Sequence, residues 1–172
     1  MKRTETRPVF VGNVQIGHQD QCILQSMTNI PSKQIEKTVA QVLALEQGGC
    51  QIVRFAVLDE QDASAICEIK KQIHIPVVAD IHFNHLLALK AVEAGADAIR
   101  INPGNIGLRQ HTEAVVESCR KKHLPIRIGI NSGSLEQHFL QAYGYSAKAM
   151  LASARRHVSI LEELDFHDIV LS

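Results

Sequence analysis

The stretch PVVADIHFNHLLALKAVEAGADAIRINPGNIG, residues 76–107, contains a complete strand–helix–strand unit. Pro76 to Ile81 is a short apolar run that opens on proline, where a missing N–H costs a strand little. Leu86 to Ala94 reads as a helix, and Gly95 falls just behind it, where a C-terminal cap needs positive φ. Ala98 to Ile101 is a second apolar run, and a polar, glycine-rich segment follows it directly. The helix between two such strands carries the chain back to the starting edge of the sheet, so the strands are parallel.

The same rhythm extends outward in both directions. Upstream, Ile23 to Met27 and Ile52 to Val57 read as strands, and Gln34 to Gln47 and Glu60 to Ile73 as helices. Ile35, Val39, Val42, Leu43 and Leu45 lay a broad apolar stripe along the first of these helices, and Gly48-Gly49 follows it as a cap. Downstream, Arg109 to His123 is a helix, Pro125 opens the strand Ile126 to Ile130, and Asp168 to Leu171 is a sixth strand. The long stretch from Leu135 to Phe166 is expected to hold two helices broken near Gly144. Val9 to Gly17 alternates around Gly12-Asn13 and predicts a small hairpin closing the bottom of a barrel.

This rhythm fits either an open doubly wound sheet or most of a barrel, and the placement of polar residues favours the barrel. The predicted fold class is α/β, an incomplete TIM-type (β/α) barrel of six parallel strands in sequential order preceded by a short β-hairpin. No linker or second-domain boundary interrupts residues 1–172. A complete barrel of this type runs to ~250 residues. One barrel domain that stops on its sixth strand, and so a truncation, is the expectation.

Composition excludes several classes. Eighteen Lys and Arg balance 18 Asp and Glu, so no global field attracts nucleic acid or an anionic membrane. Any anion must be captured by locally clustered arginines. No apolar run approaches the ~20 residues that span a bilayer, and the charged N-terminus does not read as a signal peptide, so a cytoplasmic protein is expected. Cys22, Cys50, Cys67 and Cys119 form no C-x-x-C pair, and each is expected to be a small buried hydrophobe and not a metal ligand. His18, His85, His111, His123, His138 and His157 are expected in solvated loops and helices, which leaves His82 as the histidine placed for chemistry.

Side chains alternate across a strand, so residues two apart share a face. Asp80 and His82 close the third strand, Arg100 and Asn102 the fourth, and Arg127 and Asn131 lie around Gly129 on the fifth. Arg54 sits inside the second strand between Val53 and Phe55. Barrel chemistry is carried at the C-terminal strand ends, and charged groups there are costly to bury without a partner or a ligand. Three arginines on one mouth describe a pocket for a polyanion, since guanidinium matches phosphate oxygens two at a time. An internal salt-bridge network is the alternative, with Asp80 neutralising Arg54 or Arg100. Three arginines against one aspartate, however, leave a surplus that a ligand's phosphates would fill. The loops Asn102 to Gly107 and Asn131 to Ser134 could offer backbone N–H groups and the Ser134 hydroxyl to the same anion, or could be ordinary turns.

Several segments in order resemble one known family: Gln25-Ser26-Met27-Thr28, Ile52-Val53-Arg54, Ala79-Asp80-Ile81-His82-Phe83, Arg100-Ile101-Asn102-Pro103-Gly104-Asn105-Ile106-Gly107 and Arg127-Ile128-Gly129-Ile130-Asn131-Ser132-Gly133-Ser134-Leu135. They resemble the barrel motifs of the 4-hydroxy-3-methylbut-2-enyl diphosphate synthases. The resemblance implies an iron–sulfur oxidoreductase of isoprenoid biosynthesis that reductively opens 2-C-methyl-D-erythritol 2,4-cyclodiphosphate. It implies electrons from ferredoxin or flavodoxin, a [4Fe–4S] cluster on a separate C-terminal domain, and a homodimer. By that match Arg54, Arg100, Asn102, Arg127 and Asn131 are diphosphate or pocket residues, with Asp80 and His82 lining the same pocket; Ser134, which could cap the next helix or donate to a phosphate, joins them as a substrate-binding candidate. The family's cluster ligands and its later lysine, arginine and serine have no counterpart in this chain. A fragment that binds diphosphate but does not turn it over alone is therefore expected. A pterin-dependent barrel of the dihydropteroate synthase type and a non-catalytic anion-binding remnant are the competing readings.

Overall fold

A computed structural model describes residues 5–102 and 105–172 of the chain, and the side chain of Ser134 lies outside that description. The elements run β1 (Val9–Val11), β2 (Val14–Ile16), β3 (Gln25–Met27), α1 (Ile35–Gln47), β4 (Ile52–Ala56), α2 (Glu60–Lys70), β5 (Val77–Asp80) and α3 (His85–Glu93). They continue through β6 (Ala98–Ile101), α4 (Arg109–Lys122), β7 (Ile126–Ile128), α5 (Gln137–Tyr143), α6 (Ala147–Glu162) and β8 (Ile169–Leu171). A short 3-10 turn at Ser132–Ser134 separates β7 from α5.

Strands β3 to β8 form one parallel sheet in sequential order, and β1 pairs with β2 as an antiparallel hairpin. The sheet is a curled half-barrel, and successive helices α1 to α4 pack side by side. Residues paired in register share a face. On the outer face Val53, Phe55, Ala79, Ile99, Ile101 and Ile128 join Val42, Ile66, Ala88, Val115 and Leu161 of the helices in the main core. On the inner face Ile52, Val78 and Ala98 pack on Val11, Val14 and Ile16. The hairpin thus plugs the bottom of the sheet, and Gly12 makes its turn at φ 57°.

Polar caps fix the helix starts beside the strand C-termini. Asp59 accepts from the Asp62 N–H at 2.9 Å, Asn84 from Leu86 at 3.0 Å, and Ser146 from Ala149 at 3.2 Å. Gly49 and Gly95 close α1 and α3 with φ of 88° and 93°. Strand β7 ends two residues earlier than its apolar run, yet the Gly129 N–H still donates to Ile101 C=O at 3.1 Å and Ile130 to Ser172 at 2.8 Å. The ladder therefore continues into the mouth of the sheet.

Three cysteines depart from expectation. Cys22 and Cys67 are exposed and Cys50 is half-buried, because Cys22 lies in the segment ahead of β3 and Cys67 on the solvent face of α2. Only Cys119 behaves as a core residue, and burial pushes its thiol up to about 12. No helix among the described residues is long and apolar enough to cross a membrane.

Candidate functional site

Asp80, the last residue of β5, is almost fully buried on the inner face of the sheet. Its two oxygens are shared between neighbouring strands. Arg100 Nη1 of β6 donates to Oδ1 at 2.9 Å, and Arg54 Nε of β4 stands 3.3 Å from Oδ2. The same Nε and Nη2 of Arg54 donate to a weak acceptor, the Met27 thioether of β3, at 3.3 and 3.1 Å. Both guanidinium groups are thus oriented by one carboxylate that is kept from water, with donor capacity left over.

Gly129 makes room for this arrangement. It is buried on the inner face beyond β7, and a Cβ there would overlap the Arg100 guanidinium. Arg127, two residues earlier on the same face, donates from Nη1 to Gln25 Oε1, bridging β7 to β3 below the mouth of the half-barrel. Burial holds the Arg127 guanidinium below the ordinary arginine range, and the positive charges of Arg54 and Arg100 add to this against the pull of Asp80. The Nε atoms of Arg100 and Arg127 are buried without a hydrogen-bond partner among the described residues.

A cavity of about 490 Å³ opens at the C-terminal strand ends, lined by Met27, Arg54, Asp80, His82, Phe83, Arg100, Asn102, Asn105, Asn131 and Gly133. Six of the eight expected side chains therefore meet in one concavity. Asn102 is buried, His82 half-buried and Asn131 exposed at the rim. Arg127 is the departure: it lines a neighbouring cavity of about 400 Å³ with Gln25, Ile52 and Val170, because its bond to Gln25 turns it away from the mouth. The Ser134 side chain, Pro103 and Gly104 lie outside the described residues.

Sequence reasoning missed Met27, Gln25 and the packing role of Gly129, all of which follow from the parity that found Arg54 and Arg127. It also missed Phe83 and Asn105, which sit on loops where parity gives no direction. His157 was misplaced. It is 1% exposed, because Ala149, Ser153, His157 and Leu161 form the inward ridge of α6. His85 and His111 are half-buried as well, with rings stacked 3.8 Å apart.

Chemically, the mouth offers the two guanidinium groups of Arg54 and Arg100 and the buried Asp80 carboxylate among the described residues, with Arg127 in the neighbouring cavity. It also offers two asparagine amides and a histidine at the entrance. That set suits a compact ligand carrying more than one negative charge. No group of three or more His, Cys, Asp or Glu side chains among the described residues could hold a metal ion.

Comparison with known proteins adds to this geometry. A family profile described as the GcpE TIM-barrel domain matches residues 6–172. The chain is 57% identical over 172 residues to a 4-hydroxy-3-methylbut-2-en-1-yl diphosphate synthase (flavodoxin) of Bacillus mycoides, covering 99% of this chain and 47% of that protein. It is 58% identical over 171 residues to the protein of the same name from Bacillus cytotoxicus, covering 99% and 46%. The chain thus spans about half the length of the curated relatives it matches. Among solved structures it is similar to 7,8-dihydropteroate synthase from Vibrio fischeri, with TM-score 0.69 at 10% identity over 96% of this chain and 66% of that one. Dihydropteroate synthase of Yersinia pestis gives TM-score 0.65 at 8% identity, over 95% and 61%. At such identities the likeness is one of fold alone.

Proposed function

The chain belongs to the GcpE TIM-barrel domain family, and from that premise we propose that it is the diphosphate-binding barrel of a 4-hydroxy-3-methylbut-2-enyl diphosphate synthase. The substrate of the whole enzyme is 2-C-methyl-D-erythritol 2,4-cyclodiphosphate, whose ring is opened reductively in isoprenoid biosynthesis. The observation that carries the reading is the Arg54–Asp80–Arg100 bridge at the floor of the mouth. Asp80 holds two cations side by side, and their unused donors face a cavity large enough for a small diphosphate.

Each residue then has a part. Arg54 and Arg100 bind phosphate oxygens, and Asp80 fixes their spacing. Asn102 and Asn131 orient the ligand with neutral donors, and His82 stands half-buried at the entrance; Ser134 is proposed as a further donor from its place in the sequence motif alone. Arg127 contributes positive potential from below, through its field and not through contact.

The resemblance also implies a [4Fe–4S] cluster, which would supply electrons to the bound substrate. The residues of this chain do not fit one, since the four cysteines lie apart and three-ligand groups are absent among the described residues. Such a cluster would be held by residues outside this barrel. Flavodoxin or ferredoxin as donor, a homodimer and a cytoplasmic location complete the proposal, with the flavodoxin of the relatives' names in its support.

The test is calorimetric titration of the cyclodiphosphate into full-length protein carrying this barrel. Arg100→Ala removes a charge-assisted contact of roughly 1.5–3 kcal/mol and should weaken binding about 10- to 150-fold. Unchanged affinity would refute the assignment, and tight binding of a pterin in its place would favour the dihydropteroate synthase reading.

A further inference from the structure

Behind the loop that carries Asn131 and Gly133 lies a buried polar cluster that diphosphate binding does not use. The inward ridge of α6 consists of Ala149, Ser153, His157 and Leu161, each four residues from the next. A ridge packed into a core is ordinarily apolar. Here its two middle members are polar, each 1% exposed, and both reach the same carboxylate. Ser153 Oγ donates to Glu136 Oε2 at 2.7 Å, and His157 Nε2 lies 3.0 Å from Glu136 Oε1.

The position of Glu136 in the chain gives the cluster its meaning. Glu136 is the N-cap residue of α5, yet its side chain makes no capping bond and turns toward α6. Only Leu135, itself buried, separates it from the 3-10 turn Ser132–Ser134. Asn131 and Gly133, which line the mouth cavity, therefore stand five and three residues ahead of a carboxylate anchored in the helix layer. The turn is held at one end by the β7 ladder and at the other by Glu136.

The cluster is not a nucleophile–base relay. In such a relay the hydroxyl would bond the imidazole, whereas Ser153 bonds the carboxylate directly. Burial pulls His157 below the usual histidine range against the attraction of Glu136, with Arg156 adding to the lowering. Burial pushes the Glu136 carboxyl up, but the Ser153 hydroxyl, its own N–H, His157 and His138 together hold it below the usual range. The ground state is a carboxylate beside a neutral imidazole, with Nε2 3.0 Å from Oε1 but Oε1 and Nδ1 both buried without a hydrogen bond among the described residues, so that Ser153 supplies the hydrogen bond to Glu136.

We infer that Glu136, anchored by Ser153 and His157, is a positioning residue that sets the turn presenting Asn131 and Gly133 to the bound diphosphate. The inference rests on the diphosphate reading above. Three arms test it in full-length, cluster-loaded protein, read by calorimetry with the cyclodiphosphate and with inorganic pyrophosphate. Glu136→Ala should weaken cyclodiphosphate binding about tenfold, the worth of roughly one net hydrogen bond at the ligand. Glu136→Gln, which keeps an acceptor and the volume, should restore most of the loss. In an Asn131→Ala background Glu136→Ala should change affinity less than about twofold, because the contact it positions is already gone.

Ser153→Ala, which leaves the helix ridge nearly unchanged in size, repeats the comparison should Glu136→Ala fold poorly, with a loss of about threefold, part of one hydrogen bond. Wild-type affinity in both Glu136→Ala and Ser153→Ala, or an equal loss with and without Asn131, overturns the positioning role while leaving the diphosphate reading intact. Failure of the unmodified protein to bind either ligand overturns both.

Discussion

Replacing Gly129 by alanine tests the geometry of the mouth without touching any charged residue. The added methyl would sit more than about an ångström inside the ~3.5–4.0 Å of ordinary carbon contact with the Arg100 guanidinium. The backbone at 129 has little freedom to yield, since its N–H donates to Ile101 at 3.1 Å and Ile130 is held by Ser172 at 2.8 Å. The far end of the arginine moves instead, and Arg100 loses its 2.9 Å bond to Asp80. A hydrogen bond to a charged group contributes roughly 1.5–3 kcal/mol. Asp80 keeps Arg54, so the cost in stability belongs at the lower end, about 1–2 kcal/mol. For a protein of this size or larger that is a fall in Tm of about 2–8 °C. Loss of Arg100 from the ligand should cost a further factor of about 10–100 in diphosphate affinity. Thermal melting and calorimetry of full-length Gly129→Ala and Arg100→Ala, singly and together, provide the measurement. The double variant should bind no worse than Arg100→Ala, because there is no guanidinium left to displace. Wild-type affinity in Gly129→Ala, or losses that add in the double variant, would refute the reasoning.

Asp80→Asn leaves Arg54 and Arg100 facing each other without a carboxylate, so the ligand-free protein should lose about 2–3 kcal/mol, below the value for a fully buried pair because Arg54 is partly exposed. Pyrophosphate should then raise its Tm more than it raises that of the unmodified protein, and an equal or smaller rise argues against charge spacing as the role of Asp80. Cys22 and Cys67 should alkylate in the native state while Cys119, buried and with its thiol at about 12, reacts only on unfolding; mass spectrometry of early labelling at Cys119 would contradict this. Stability should fall as pH drops below about 6.5, since His157 and His85 are both held neutral by burial while the unfolded chain takes up their protons. His111 beside His85 adds to that shift. Urea midpoints at pH 7.5 and 5.5 check the direction, and an equal or higher midpoint at pH 5.5 counts against it.

The fold was legible because its signal is local and repeated. Apolar runs, capping residues and glycines located every element from Ile52 to Ile101 within a few residues, and the Gly12 turn announced the hairpin. Strand parity then placed Arg54, Asp80 and Arg100 on one face, since alternation is a property of the backbone and needs no tertiary information. What parity does not give is the direction of a long side chain above its face. Arg127 shares the parity and register of Arg100, yet it turns to Gln25, 102 residues away in sequence. The acceptor that decides its orientation is invisible until the sheet curls. His157 was hidden for a related reason. The ridge Ala149, Ser153, His157 and Leu161 is only half apolar, so helical spacing alone does not reveal which side of α6 faces inward.

The sequence left two readings of the arginines open, an internal salt-bridge network or an anion pocket, and the geometry has features of both. Asp80 does pair with both Arg54 and Arg100, as a structural network would. A purely structural network, however, closes on itself, with every charge and donor met by a protein partner. This one does not. One carboxylate serves two guanidinium groups, a third lies close enough for its field to be felt by the others, and Arg54 spends two donors on a thioether that is a poor acceptor. Arg54 and Arg100 against Asp80 leave one positive charge at the floor of the cavity, and Arg127 in the neighbouring cavity adds a second to the local field, the sign of potential an anionic ligand would meet. Pairing by Asp80 also lowers the repulsion between the two arginines, so on the proposed reading a diphosphate would meet groups already in place and binding need not order them. The internal ion pairs are therefore what allows a cationic mouth to persist in a folded barrel.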